Sequence, residues 1–199
     1  MPSREGGVRV DPEVVQSVSF TNIVPQEIEK VVSAVSPEQV EALIAALNEA
    51  ECIFVGGAGR SLLMMQAFAM RLVHLGITVY VVGETTTPAI GPGHLLIVGS
   101  GSGQTRLTLA TVEAAKARQA RVCAITAHPT SPIARAADLV VEIPTPVTVA
   151  PSVTRSSQQP PGSLFEQCLL VVCDTIVMRL MQRLGVTEEQ MRARHTKFE

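Results

Sequence analysis

Two short strings in this 199-residue chain have the residue types needed to hold an anion: Gly56-Gly57-Ala58-Gly59-Arg60-Ser61 and Ser100-Gly101-Ser102-Gly103-Gln104-Thr105. Glycines let the main chain come close to a charged group, hydroxyls donate hydrogen bonds, and a helix starting at the loop adds partial positive charge. The candidate binding residues are Gly59, Arg60 and Ser61 in the first string, and Ser100, Gly101, Ser102, Gln104 and Thr105 in the second. Neither string carries the lysine of a Walker A loop, and SGSGQT alone also reads as a Ser/Gly turn that caps the next helix. Arg60 suits a phosphate or open solvent equally. The first string has two glycines of a dinucleotide fingerprint, but Leu62 stands at the third position. A hydroxyl-rich second loop is foreign to that fingerprint and suits a compact phosphate better.

These strings need a scaffold that brings them together. Short β-branched runs at 52–55, 79–82, 95–98, 122–126 and 139–143 read as five strands, the first three each followed by Gly. Helical patterns lie between them: Leu62, Met65, Ala69, Leu72 and Val73 mark one helix, Leu107, Val112 and Ala115 another. A shorter helical turn is expected at 131–137, and a Pro-rich connection over 144–161 leads to an apolar final helix from Leu164 to Leu184. Two more helices are expected over 12–51, one opened by Ser36-Pro37 as N-cap and first helical residue. Alternation of strand and helix predicts an α/β fold: a doubly wound, five-stranded parallel sheet in three αβα layers, with flavodoxin-like order 2-1-3-4-5. In that order strands one and three flank the point where the winding reverses, so both loops face one crevice. Residues 1–50 are expected to form a helical segment packing on a single domain, 51–199.

Composition narrows the function classes. A net charge of −2 creates no field for nucleic acid or an anionic membrane surface. An aromatic share of 3% leaves few platforms for stacking bases or sugar rings. The longest apolar segment, 164–181, is broken by Glu166, Asp174 and Arg179, and no membrane span or secretory leader is expected. Cys52, Cys123, Cys168 and Cys173 lie in apolar runs without CxxC spacing, so they read as reduced core residues in a cytoplasmic protein. His74, His94 and His128 have no partners at metal-ligand spacing, and no metal site is expected.

Taken together, the two loops resemble the sugar isomerase (SIS) domain, and the fuller pattern resembles its 6-phospho-3-hexuloisomerase branch. The resemblance is carried by residues 55–61 (VGGAGRS), 67–76 (AFAMRLVHLG), 81–90 (VVGETTTPAI), 100–105 (SGSGQT), 162–167 (GSLFEQ) and Arg194-His195. Where members commonly have Gly, Asp and often Glu, this chain has Leu62, His94 and Gln104. The resemblance implies interconversion of D-arabino-hex-3-ulose 6-phosphate and D-fructose 6-phosphate, in the ribulose monophosphate route of formaldehyde fixation. It also implies a homotetramer that uses neither metal nor organic cofactor. Ser61, Ser100, Ser102 and Thr105 would hold the phosphate, and Glu166 and His195 would do the chemistry.

Moving a carbonyl between C3 and C2 through a 2,3-enediol(ate) needs a base at the carbons and a proton shuttle at the oxygens. Partial desolvation at the start of an apolar helix suits Glu166 to the first task. The same residue also reads as the third helical position of a capping box opened by Ser163, a purely structural role. His195 lies in a polar tail, where a histidine is usually solvated, and its shuttle role follows from the resemblance, which puts the tail near a neighbouring subunit's pocket. A final helix apolar on nearly all sides fits burial in the domain or between subunits. Two other functions fit the same cradle: a non-catalytic module sensing a sugar phosphate, and an isomerase of another phosphorylated sugar.

Overall fold

The computed structural model describes residues 20–146 and 157–197. Five strands alternate with helices: β1 (Cys52–Gly57), α3 (Gly59–Leu75), β2 (Val79–Val81), β3 (His94–Gly99), α4 (Arg106–Ala117), β4 (Arg121–Thr126), α5 (Pro132–Ala136) and β5 (Leu139–Glu142). Before them come α1 (Phe20–Val32) and α2 (Pro37–Glu49), and after them α6 (Ser163–Leu184) and α7 (Glu188–Ala193). The sheet is parallel throughout, in the order β2-β1-β3-β4-β5.

Strand alternation builds two cores. Ile53, Val55, Leu95, Ile97, Cys123, Ile125 and Val141 face one side and pack with side chains of α2, α3 and α6. Phe54, Leu96, Val98, Val122 and Ala124 face the other and pack with Val112 and Ala115 of α4 and Ile133 of α5. Both faces of the central strands are covered, which is why these strands read as continuous apolar runs. Leu43, Ile44 and Leu47 of α2 are buried in the first core, and each such side chain contributes about 1.5–3 kcal/mol.

The expected strand edges shift slightly. Val82 and Ile143 lie just beyond β2 and β5, although their amides still donate to Val55 and Thr126 at 2.9 Å. β3 and β4 start earlier, at His94 and Arg121, polar residues at the sheet rim that hydrophobicity could not mark. Ser36 caps α2, accepting from the Gln39 amide at 3.2 Å with Pro37 in the first turn. The polar tail contains α7, opened by a capping box between Thr187 and Gln190. Residues 12–19 of the expected N-terminal helical stretch and 147–156 of the Pro-rich connection lie outside the described residues.

Candidate active site

β1 and β3 are adjacent and in register to their last residues, Gly57 opposite Gly99, so the two loops leave the sheet side by side. A Cβ on Gly57 would lie 3.1 Å from the Gly99 carbonyl oxygen and 3.2 Å from the Leu62 amide nitrogen, so a side chain there would crowd the main chain of both neighbours. Ala58 caps α3 and Thr105 caps α4, neither through a side-chain hydrogen bond, so the Thr105 hydroxyl is not spent on its helix. It lies 3.3 Å from the Ser100 hydroxyl instead. Ser102 Oγ accepts from the Gln104 amide at 3.3 Å. Gly103, at φ 61°, makes the turn, and its carbonyl accepts from Ile133 of α5 at 3.1 Å.

The start of α6 supplies the third wall. Glu27 of α1 fixes its approach, accepting from Ser157 Oγ at 2.8 Å and from the Gln158 amide and Gln159 Nε2 at 2.9 Å. Burial pushes the Glu27 carboxyl up, but these donors, the Gln158 amide foremost, hold it below the ordinary carboxylate range. The expected capping box at Ser163 is absent: Gly162 is the N-cap, at φ 87°, and makes no side-chain cap bond. The left-handed conformation of Gly162 moves the helix start one residue back, so Ser163 is already helical and Glu166 falls one position too late for the box. The Glu166 amide bonds to the Gly162 carbonyl at 3.1 Å, and its side chain is free of the cap.

All three segments meet around one cleft of about 180 Å³. Ala58 and Ser61 come from the first loop, Gly99, Ser100, Gly101, Ser102 and Thr105 from the second, and Gly162, Phe165 and Glu166 from α6. Sequence reasoning named Ser61, Ser100, Gly101, Ser102, Thr105 and Glu166 among these. It missed Phe165, whose signal was its place inside GSLFEQ. The Phe165 ring lies beneath the second loop, 3.0 Å from where a Cβ on Gly101 would be.

The remaining expected residues do not line the cleft. Gly59 opens α3 at φ 54° with open space beside it. Arg60 reaches across the mouth and donates through Nε to Glu166 Oε2; its side chain is 60% exposed and that of Glu166 14%. Gln104 is exposed and meets the loop through its amide. His195 is remote: its ring packs 5.1 Å from that of His74, and Arg194 donates to the His74 carbonyl at 3.0 Å. His74 is near the far end of α3, and the 13 residues from Ser61 at 1.5 Å each put it about 20 Å from the cleft of its own chain. Among the described residues no group of three or more His, Cys, Asp or Glu could hold a metal ion. Among them, too, no helix is long and apolar enough to cross a membrane.

Hydroxyls at the carboxyl ends of two parallel strands with one carboxylate opposite can bind a phosphate ester and take a proton from a carbon held beside it. Residues 46–161 match the SIS domain family. A Mycobacterium gastri protein named 3-hexulose-6-phosphate isomerase is 42% identical over 178 residues, 89% of either chain. One of the same name from Bacillus subtilis is 39% identical over 165 residues, 83% of this chain and 89% of the other. A Methanococcus jannaschii crystal structure described as inferring that molecular function superimposes with TM-score 0.76 at 32% identity, covering 90% of this chain and 99% of the other. The chain belongs to the SIS domain family and, within it, to the group of the 3-hexulose-6-phosphate isomerases.

Proposed function

We propose that the protein interconverts D-arabino-hex-3-ulose 6-phosphate and D-fructose 6-phosphate, the isomerisation step of the ribulose monophosphate route for formaldehyde. The observation that carries this reading is the convergence of Ser61, Ser100, Ser102 and Thr105 with Glu166 on one cleft. The hydroxyls, with the main chain of the two glycine-rich turns, hold the phosphate dianion and set the carbon chain toward α6. Glu166 takes the proton from C2, giving a 2,3-enediolate, and returns it to C3, while a proton passes from O2 to O3. Carbon and oxygen count and oxidation level are conserved, so the residues named need no redox partner.

His195 is assigned the oxygen-side transfer. Its distance from the cleft of its own chain supports a contribution to a neighbouring copy, within a homotetramer. Exposed apolar side chains on α3 (Leu63, Met70) and α6 (Val171, Met178) support association of copies. Four free, buried cysteines suit the reducing cytoplasm.

The test is direct turnover of the 3-hexulose phosphate by the wild-type protein and Glu166→Gln, with circular dichroism as a check on folding. The expected result is turnover by the first and a fall of at least a hundredfold in the second, the scale of a lost general base. A folded variant of undiminished activity removes Glu166 from the base role.

A further inference from the structure

Arg60 is the one cation tied to the cleft among the described residues, since no lining residue is basic, and it is spent on the carboxylate that the reaction needs. With Arg60 Nε on Oε2, one of the two carboxylate oxygens of Glu166 is occupied. The pair is lopsided: the guanidinium is mostly in water and the carboxylate mostly covered. An ion pair with one partner this exposed is weak and easily exchanged. Arg60 is also the immediate neighbour of Ser61, so its backbone is anchored beside the cradle while its side chain spans to α6.

We infer that Arg60 changes partners when substrate arrives, leaving Glu166 for the phosphate dianion and thereby unmasking the base only in the occupied cleft. A dianion carries more charge than a carboxylate and offers oxygens matched to the fork of a guanidinium, so it competes well for Arg60. Without the exchange, the dianion would lie in a cleft whose lining offers it no cationic side chain, since no lining residue is basic. This inference rests on the proposed function and gives Arg60 a binding task in that same site.

The exchange separates two kinetic constants. Glu166 is free in the substrate complex whether or not Arg60 exists, so Arg60→Gln is expected to raise KM about tenfold and leave kcat within about threefold of wild type. The inhibition constant of inorganic phosphate should rise in parallel, and Arg60→Lys should recover part of both losses. A static clamp that orients Glu166 throughout the reaction gives the opposite split, with kcat lowered and KM and phosphate inhibition unchanged. That result overturns the exchange while leaving the isomerase reading intact. A wild-type protein that turns over no hexulose phosphate overturns both. A crystal structure of the wild-type protein with inorganic phosphate in the cradle gives a second readout: Arg60 on the phosphate supports the exchange, and Arg60 still on Glu166 refutes it.

Discussion

Replacing Gly103 by alanine would put a methyl carbon 2.0 Å from Ser131 Oγ, 2.4 Å from Ser131 Cβ and 3.1 Å from Thr126 Oγ1. Three costs arise. A side chain at φ 61° is disfavoured by roughly 1–2 kcal/mol. Rotating the Ser131 hydroxyl away breaks its cap bond from the Ala134 amide, 3.3 Å long, at a cost of about 1 kcal/mol. No rotation relieves the clash with Ser131 Cβ, so the backbone must move, at about 1–3 kcal/mol. The expected loss is about 4 kcal/mol, a large share of the 5–15 kcal/mol typical of a domain. Urea unfolding of Gly103→Ala and of the double variant Gly103→Ala/Ser131→Gly measures it. Glycine at an N-cap costs only a few tenths of a kcal/mol and removes both clashing atoms, so the double variant should recover about 2 kcal/mol relative to the single one. A single variant within 1 kcal/mol of wild type, or a double variant less stable than the single, refutes this account of the turn.

Ser61→Ala removes a hydroxyl that lines the cleft, and a hydrogen bond to a charged group is worth about 1.5–3 kcal/mol; calorimetric titration with inorganic phosphate should show at least a tenfold weaker dissociation constant, with the melting temperature unchanged. Burial pushes the Cys123 and Cys168 thiols up to about 12 and raises those of Cys52 and Cys173 as well. Iodoacetamide at pH 8 should therefore leave the folded protein unlabelled, as judged by intact mass, and label the urea-unfolded chain. Burial lowers the pKa of His74 from its ordinary 6.5, and the charges of His195 and Arg71 add to the effect. The unfolded chain thus takes up a proton that the folded one resists, so this stability is complete above about pH 6.5 and is lost as pH falls below that value. Melting temperatures from pH 7.5 to 5 should fall more steeply for wild type than for His74→Gln, and equal slopes would contradict the reading.

The sheet was legible because Ile53–Val55, Leu95–Val98 and Val122–Ile125 are buried on both sides, and such burial leaves an apolar run in any sequence. Alternation of strand and helix made it parallel, its order is the common one for a five-stranded doubly wound sheet, and with the order came the meeting of Ser61 with Ser100 and Ser102. The rest depended on single conformations and on distant partners. Gly162 took the N-cap from Ser163 through a positive φ, which composition does not reveal. The pairing of Arg60 with Glu166 spans 106 residues, and nothing local to either predicts it. α7 is short and has no buried residue, so it leaves no apolar periodicity to read.

At Gly99 and Gly101 the wall of the cleft is bare main chain. A Cβ on Gly99 would come 2.8 Å from Leu169 Cδ2 and 3.0 Å from Met65 Cγ. Substitution at Gly99 would therefore press into the packed core behind the wall. Neither glycine has a side chain to trim, so the chamber cannot be enlarged at these two positions to admit a bulkier sugar. Any broadening of substrate range must come from elsewhere in the lining, by shortening Phe165 or retracting the first turn of α6. A directed-evolution library is best spent on those positions, with the two glycines left untouched.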